Sequence, residues 1–304
     1  MPASILVVGS ANVDFVTRLP HLPVPGETVL GESYTIAPGG KGANQAVACA
    51  RAGGQVAFCG ALGRDPFADL LLDSLRQSGV QDWTRRADLP TGAAFISVSD
   101  AGENCIAVAS GANGTLRPAQ LPALGGVRWL VLQLELPLDT VLAAAQAAHR
   151  AGGRVVLNAA PARELPAELW ARLDVLVVNE GELTALVGPG DLDGQLRRAQ
   201  ARGPQTVIVT LGGRGCRARQ GEETWNLPAP TVPVRDTTGA GDTFVGVLVA
   251  RLDAGEPLPS ALAWAVAAGA LACTREGAQP SMPTRAEIEA ALAQEGSLPA
   301  ADPM

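Results

Sequence analysis

The chain has 304 residues, of which 47% are hydrophobic and 17% are charged, and its formal net charge is −7. A chain of this length can bury a full-sized core as one large α/β domain, and its composition is that of an ordinary globular protein. The acidic balance argues against a nucleic acid partner, because binding a phosphate backbone normally requires a basic face. A small anionic ligand held by backbone amides remains compatible with this charge.

The cysteines and the apolar runs indicate a cytoplasmic protein without a membrane anchor. Five cysteines lie at scattered positions with no CxxC pair, which is typical of reduced thiols rather than of a disulfide framework or a zinc site. The first residues, MPASILVVGS, contain no basic residue and only a short apolar run, so they predict a buried strand rather than a signal peptide. The apolar segment 261–273 is too short to span a bilayer comfortably and predicts a core helix.

Six apolar runs predict the strands of a central sheet. Their hydrophobicity is continuous rather than alternating, which indicates strands buried on both faces and therefore a mostly parallel sheet flanked by helices, an α/β fold. Residues 138–152 and 194–203 have helical patterns that end near glycine and predict crossover helices. The predicted strands are SILVV (4–8), QVAFCG (55–60), RWLVLQL (128–134), RVVLNA (154–159), DVLVVN (174–179) and TVIVTL (206–211).

Residues 13–36 and 92–109 interrupt this rhythm. Both segments alternate polar and apolar residues between Gly, Asn and Asp turns, which is typical of half-exposed antiparallel strands. We expect them to form a small antiparallel β lid that covers a site, inserted into a single domain spanning residues 1–304.

Three polar stretches are candidates for a site, and the first, GSANVD (9–14), follows the first predicted strand. Ligands of open α/β sheets bind beyond the carboxyl ends of the strands, so Asn12 and Asp14 fall where a polyol could be bound. An Asx-turn would explain the same residues without a ligand.

The second stretch, APGGKGANQAVACARAG (37–53), contains the only lysine among the 23 Lys and Arg residues of the chain, Lys41. A compact ammonium and a planar guanidinium are not equivalent in a tight space, so this single retained lysine predicts a local functional need. Glycines 39, 40 and 42 precede an Ala-rich helical pattern that includes Asn44. A tight turn with close backbone packing is the alternative interpretation.

In the third stretch, DTTGAGDTF (236–244), two glycines precede Asp242 and an apolar helical pattern. Glycines before a helix let several N–H groups point into one concavity, where the helix dipole adds partial positive charge. Such an anion hole suits the charge that develops on phosphate oxygens, and an aspartate beside it could accept a proton from an attacking hydroxyl. Asp242 would serve equally well as a simple helix N-cap. The stretch lacks the Lys-Ser/Thr of a Walker A loop.

Together, GGKGANQA (39–46) and DTTGAGDTF (236–244) resemble the signatures of the ribokinase (PfkB) family of sugar kinases. The resemblance runs through nearly the whole chain. The stretches NAAPARELP (158–166), NEGE (179–182) and TREGAQPSMP (274–283) are similar to those of the members that act on ribose.

The resemblance implies ATP-dependent phosphorylation of D-ribose at O5. Asp242 would be the general base, and the amides of Gly239, Ala240 and Gly241 would hold the transferring charge. Carboxylates and amides suit vicinal hydroxyls, because a site built from them rejects analogues that lack a hydroxyl. The implied ribose-binding positions are Asn12, Asp14, Gly40, Lys41, Gly42, Ala43, Asn44, Glu135 and Asp242.

The resemblance also implies positions for ATP, magnesium and potassium. At Val266 the chain departs from the family pattern, in which an Asn or His near the adenine would donate a hydrogen bond. The resemblance implies that Glu182 holds Mg²⁺ through water. The implied nucleotide positions are Asn179, Thr210, Leu211, Gly212, Gly213, Arg214, Gly215, Gly241 and Val266, and those around K⁺ are Asp236, Thr238, Ala272, Arg275, Gly277 and Ser281.

The implied assembly is a homodimer formed through the lid sheet, since exposed strand edges favour pairing with a second copy. The main alternative function is a PfkB-family kinase for fructose, deoxyribose or adenosine. A non-catalytic regulator is disfavoured because Asp242 is present. A dinucleotide-dependent enzyme is disfavoured because no GxGxxG follows the first strand.

Overall fold

The computed structural model describes residues 3–294 of the chain, and within that range the backbone forms fifteen strands. In chain order the strands are β1 (Ile5–Val8), β2 (Asn12–Leu19), β3 (Tyr34–Gly39), β4 (Val56–Cys59), β5 (Ala61–Leu62), β6 (Gln81–Asp82), β7 (Arg85–Arg86), β8 (Gly92–Ser99), β9 (Asn104–Ala109), β10 (Trp129–Leu132), β11 (Arg154–Asn158), β12 (Val175–Asn179), β13 (Thr206–Thr210), β14 (Cys216–Gln220) and β15 (Glu223–Leu227).

The same range contains nine α-helices, several of which begin at clear capping signals. Asp65 caps one of them by accepting a hydrogen bond of 3.0 Å from the amide of Ala68, and Pro66 takes the first helical position. The helices are α1 (Lys41–Arg51), α2 (Pro66–Gln77), α3 (Leu138–Arg150), α4 (Ala167–Trp170), α5 (Glu180–Val187), α6 (Leu192–Gln200), α7 (Ala240–Asp253), α8 (Leu258–Ala272) and α9 (Arg285–Gln294). Among the described residues, no helix has both the length and the apolarity needed to cross a membrane.

The central sheet has nine strands in the order β15-β14-β13-β12-β11-β10-β1-β4-β6. The pairs from β13 to β6 are parallel, whereas β14 and β15 join one edge in antiparallel pairing. All six predicted strands belong to this sheet, and α3, α6 and α8 overlap the segments predicted as helices, 138–152, 194–203 and 261–273, each ending one to three residues earlier than predicted. The predicted α/β class with a mostly parallel, helix-flanked sheet is confirmed.

Helices cover both faces of the central sheet, which explains why its strands are apolar at every position. Alternate residues of β1 point to opposite sides: Ile5 and Val7 belong to one core cluster, and Leu6 and Val8 belong to the other. Helices α1, α2, α7, α8 and α9 contribute to the first cluster, and α3 to α6 contribute to the second.

A second, small sheet is formed by the two inserted segments in the order β3-β2-β8-β9. Its outer pairs, β2 with β3 and β8 with β9, are antiparallel. The central pair of β2 with β8 is parallel, because these two strands are joined by a long connection through the central sheet rather than by a hairpin. We call this four-stranded unit the small sheet.

The parallel strands place their polar ends at one edge of the central sheet. Ser10 follows β1 and Glu135 follows β10, while Asn158, Asn179 and Thr210 end β11, β12 and β13. Parallel neighbours have their carboxyl ends on the same side, so these residues lie along one edge, where ligands of open α/β sheets bind. The candidate site occupies this edge.

Candidate active site

Helix α7 begins beside this edge without a side-chain cap. Gly239 is its N-cap residue and has φ 75°, a left-handed conformation that favours glycine, and no side chain of the described residues caps the first amides of the helix. Of the three amides predicted to hold an anion, that of Ala240 donates to the Thr237 carbonyl at 3.2 Å, which leaves the Gly239 and Gly241 amides and the positive end of the helix dipole to face the site. This geometry suits an anion.

Asp242 lies in the first turn of α7 and is 9% exposed. One carboxylate oxygen accepts a 3.0 Å hydrogen bond from Nδ2 of Asn44, and the other accepts a 3.0 Å bond from Nε2 of Gln45. Its side chain does not cap the helix, so the interpretation of Asp242 as a simple N-cap is wrong. A buried carboxylate fixed at both oxygens is suited to act in one orientation.

A network of buried carboxamides extends from Asp242 in two directions. Asn44 accepts a 3.1 Å hydrogen bond from Gln279, which comes from the segment before α9. Gln45 also donates to Oδ1 of Asn158 at 3.0 Å and accepts a 2.6 Å bond from Nε2 of Gln133. The sequence reasoning missed the three glutamines; the available signal was a Gln within the Ala-rich, buried face of α1.

The predicted sugar-binding residues of β2 are buried and lie in the strand, so their interpretation as an Asx-turn is wrong. Asn12 and Asp14 are 3% and 8% exposed. Oδ1 of Asn12 accepts a 2.7 Å hydrogen bond from Asn113, which also bonds both backbone groups of Ala11. Asn113 was missed as well, because nothing in its local sequence distinguishes it from a loop residue.

The remaining predicted sugar positions lie at the start of α1 and after β10. Gly40 precedes α1 as its N-cap residue, and Lys41, Gly42, Ala43 and Asn44 form its first turn. The Ala43 amide donates to the Ser10 carbonyl at 2.9 Å, which holds the helix start against the end of β1. The Ser10 hydroxyl donates to Oε2 of Glu135 at 2.5 Å. The structure thus gathers the predicted set into one region.

Charges in this region perturb one another. Burial, followed by repulsion from the neighbouring carboxylates of Glu135 and Asp242, raises the pKa of Asp14 to about 7. Burial opposes the charged form of Lys41, yet the carboxylates of Asp242, Glu135 and Glu182 raise its pKa above the ordinary value. Lys41 is thus the shared cation of several acidic groups.

A small cleft of about 160 Å³ adjoins Asp242. Its lining includes Lys41, Asn158, Glu182 and the glycines that flank Ala240. Asn179 and Glu182 form a reciprocal capping box at the start of α5, in which the Asn179 amide donates to Glu182 at 2.9 Å. Burial raises the pKa of Glu182. The cleft therefore combines an anion-binding helix start with a carboxylate and an ammonium.

A larger cleft of about 730 Å³ lies on the other side of the α7 start. Most predicted nucleotide positions line it; Arg214 is not among the lining residues, and its guanidinium pairs at 2.5 Å with Glu180, which does line the cleft. Phe244, Val266 and several small residues give the cleft an apolar wall. The predicted positions that line it are Asn179, Thr210, Leu211, Gly212, Gly213, Gly215, Gly241 and Val266.

The two clefts share Asn179, Thr210 and Gly241 in their linings, so they adjoin at the start of α7, and Asp242 lines the smaller one. A long ligand with an anionic end could lie in the large cleft and extend its charge to the helix start. A polyol beside Asn12 and Asp14 would approach the same carboxylate from the other side.

Two of the segments predicted to surround a monovalent cation, those of Asp236 and Gly277, are in hydrogen-bond contact. Oδ2 of Asp236 accepts a 2.8 Å hydrogen bond from the Gly277 amide, and Oδ1 accepts bonds from the amide and hydroxyl of Thr238. Burial opposes ionisation of Asp236, but these hydrogen bonds bring its pKa below the ordinary value. Ser281 is buried and donates to the Ala278 carbonyl at 2.7 Å, while the Arg275 side chain pairs with Glu287.

Comparisons with known proteins agree with this arrangement. Residues 2–285 match the family described as pfkB family carbohydrate kinase. The ribokinase of Haemophilus influenzae is 39% identical over 299 aligned positions, which cover 94% of this chain and 97% of that protein. The deoxyribokinase of Salmonella typhi is 35% identical over 293 positions, which cover 92% of this chain and 95% of that protein.

A solved structure of Arabidopsis thaliana ribokinase complexed with ribose and ATP has a TM-score of 0.87 and 30% sequence identity to this chain. The match covers 96% of this chain and 99% of that chain. The chain therefore belongs to the pfkB family of carbohydrate kinases.

Proposed function

We propose that this chain is an ATP-dependent kinase that phosphorylates D-ribose at O5. The observation that carries the proposal is the position of Asp242, a buried carboxylate in the first turn of a helix without a side-chain cap, hydrogen-bonded to Asn44 of the glycine-rich stretch and lining a cleft beside the larger one. Relatives named as ribokinases, and one of them solved with ribose and ATP, support the choice of substrates.

In the proposed reaction, Asn12, Asp14 and Glu135 hold the sugar hydroxyls. Asp242 accepts the proton of the O5 hydroxyl while that oxygen attacks the γ-phosphorus of ATP. The new O–P bond forms as the bond to the β-phosphate oxygen breaks, and ADP leaves. The amides of Gly239 and Gly241 stabilise the negative charge on the transferring phosphoryl group, and the Ala240 amide joins them when it leaves the Thr237 carbonyl.

The residues around the small cleft fit a magnesium ion bound mainly to phosphate. Mg²⁺ commonly keeps several waters and uses one or two carboxylates, and Glu182 supplies one carboxylate here. When bound, the ion would offset charge on the β- and γ-phosphates. The Asp236 segment and the backbone carbonyls near Ala272, Arg275 and Gly277 fit a monovalent cation, because such hard ions prefer oxygen ligands.

Deoxyribose is the second candidate substrate, because the deoxyribokinase of Salmonella typhi is similar over nearly the whole chain. The difference between the two sugars is one hydroxyl. A site built to bond that hydroxyl rejects the analogue strongly, whereas an apolar contact discriminates weakly.

An ADP-release screen across pentoses, hexoses and nucleosides tests the proposed function. We expect ribose to give the highest kcat/KM and the product to be ribose 5-phosphate, identified by NMR or by mass against authentic standards. A higher kcat/KM for deoxyribose would select the second candidate. Absence of ADP release with every sugar, in the presence of Mg²⁺ and K⁺, would contradict a kinase function.

We also propose that the small sheet acts as the lid of a single domain and pairs with a second copy in a homodimer. Seven of the nine large hydrophobic side chains that are exposed in the described chain lie at 13–36 or 92–109. Ile106 and Val108 are opposite Ile96 and Ala94 in register, which places them on the same face as Asp14. The seven are Val24, Leu30, Tyr34, Ile36, Phe95, Ile106 and Val108.

Sedimentation at several protein concentrations tests the dimer. We expect Ile106→Asp with Val108→Asp to shift the protein toward monomer, whereas Leu89→Asp, at an exposed position outside the small sheet, leaves the distribution unchanged. A monomeric wild-type protein at micromolar concentration would contradict the proposal. The five free thiols fit the proposed cytoplasmic location, where thiols stay reduced.

A further inference from the structure

We propose that Gln45 is the positioning residue for Asp242, and that Gln133 fixes Gln45 in the orientation this requires. The inference deepens the proposed function and rests on it, because it concerns the same general base. Gln45 and Gln133 are 0% and 1% exposed and lie in the centre of the molecule. Buried carboxamides are retained in a core where they have hydrogen-bond partners, because a polar group left without a partner there destabilises the fold.

The Asp242 carboxylate, which ends the series of hydrogen bonds from Gln133 through Gln45, fixes the direction of each bond in the series. An ionised carboxylate only accepts hydrogen bonds, so the Nε2 of Gln45 must face Asp242 and its Oε1 must face away. That Oε1 accepts a 2.6 Å bond from Nε2 of Gln133. A flipped Gln45 would place its carbonyl oxygen against the carboxylate, and Gln133 removes that alternative by supplying a donor at the other end.

The same amide also joins the base to the phosphate side of the site. Nε2 of Gln45 donates to Oδ1 of Asn158 at 3.0 Å as well as to Asp242 at 3.0 Å, and Asn158 lines the small cleft with Asp242. One side chain therefore sets the position of the base relative to the cleft in which we place the phosphates.

Two glycines, Gly246 and Gly9, make room for Gln45 and Gln133 in the core. Gly246 lies one turn after Asp242 on α7, and a Cβ atom at this position would lie 2.5 Å from the backbone carbonyl oxygen of Gln45. A Cβ atom at Gly9 would overlap Oε1 of Gln133. The absence of side chains at Gly246 and Gly9 lets α1 pack closely against α7 and leaves room for Gln133.

Oε1 of Gln133 has no hydrogen-bond partner among the described residues. A buried acceptor without a partner is unfavourable, so the Gln133 amide is retained for the bond that its nitrogen makes. This agrees with a role for Gln133 in orienting Gln45 rather than in stabilising the core.

The test measures kcat, the KM of each substrate and thermal stability for Gln45→Met, which removes the donor and keeps the volume. We expect kcat to fall about 10- to 100-fold, because small displacements of a reacting group cost up to that much, while each KM stays within about threefold. The matched control is Gln195→Met, a buried glutamine of α6 whose amide bonds Thr184 and Gly188. It should lower stability and leave kcat unchanged.

A double-mutant cycle tests the role of Gln133. Gln133→Met should lower kcat about 3- to 10-fold by itself and have no further effect in the Gln45→Met background, because it acts only through Gln45. Gln45→Glu is a second variant that retains the shape. Its introduced carboxyl can donate only when protonated, so kcat relative to wild type should rise as the pH is lowered from about 8 to about 6.

Wild-type kcat in Gln45→Met, a loss confined to KM, or additive effects in the cycle would each overturn the inference. Failure of the wild-type protein to phosphorylate ribose would instead overturn the proposed substrate. In that case the same variants, measured with whichever sugar releases ADP, still decide the role of Gln45.

Discussion

Asn44 and Asp242 are 198 positions apart in the chain, yet Nδ2 of Asn44 donates a 3.0 Å hydrogen bond to the Asp242 carboxylate. Asn44 belongs to the glycine-rich stretch at the start of α1, and Asp242 belongs to the glycine-rich stretch at the start of α7. The two glycine-rich stretches of the sequence therefore build one site. The residues that we propose bind the sugar and those that we propose bind the phosphates therefore share the same carboxylate.

Asp14 makes the free energy of unfolding decrease as the pH rises. Its pKa is raised from 3.8 to about 7, so between these values the folded chain binds more protons than the unfolded chain, and the free energy of unfolding falls as the pH rises. We expect Asp14→Asn to raise that free energy at pH 8 by about 2–4 kcal/mol, and to have little effect near pH 4.

Urea unfolding at both pH values measures this effect, with Asp88→Asn as a control at a fully exposed carboxylate. The same Asp14 variant should bind ribose about 10- to 100-fold more weakly, because a charged hydrogen-bond acceptor is lost. An Asp14→Asn protein that is less stable than wild type at pH 8 would contradict the assignment.

The fold could be predicted well because its signals are local. In β10 and β12 nearly every residue is apolar, so neither face of the strand can be exposed to solvent favourably. Burial on both faces therefore follows from composition. The parallel pairing of β2 with β8 could not be predicted, because alternation shows that a strand is half-exposed and leaves its partner undetermined.

The site could be predicted where glycine and charge mark it, and not where buried amides complete it. Asp242 stands out beside two glycines, and Lys41 stands out as the single lysine. Gln45, Gln133 and Asn113 look like ordinary polar residues, and their roles arise from partners 88 to 197 positions away. Long-range contacts of this kind leave no local trace in one sequence.

We expect that a side chain at Gly39 would displace the Asp14 carboxylate. A Cβ atom at Gly39 would overlap the Asp14 carboxylate, although its backbone conformation is accessible to alanine. We expect Gly39→Ala to raise the KM for ribose about 10-fold or more, with the KM for ATP nearly unchanged. Steady-state kinetics with each substrate varied in turn measure both values.

Gly125→Ala is the matched control, because a Cβ atom there meets nothing within 4 Å. Equal effects of Gly39→Ala on ribose and ATP would show that Gly39 supports the fold rather than the position of Asp14.

Lys41 can be followed chemically because it is the only lysine in the chain. An amine-directed acylating reagent can modify just this side chain and the α-amino group, which serves as an internal control in the same sample. We expect ribose with a non-hydrolysable ATP analogue to slow modification of Lys41 and to leave the α-amino group unaffected. Peptide mass spectrometry measures both rates, and an unprotected Lys41 would place it outside the site.

Replacement of sodium by potassium at constant ionic strength is expected to raise kcat several-fold. The reason is the oxygen-rich segment around Asp236, which contacts Gly277 and lies close to the start of α7. Asp236→Asn should reduce the difference between the two ions, whereas Asp69→Asn, at an exposed position on α2, should preserve it. Equal kcat values in both salts for the wild-type protein would remove the cation from the proposal.

The turnover of Asp242→Asn tests the role of the general base most directly. We expect kcat to fall by at least about 10², while the dissociation constants for ribose and ATP, measured by calorimetry on the folded variant, change by less than about threefold. Turnover close to that of the wild-type protein would contradict the assignment of Asp242 as the base.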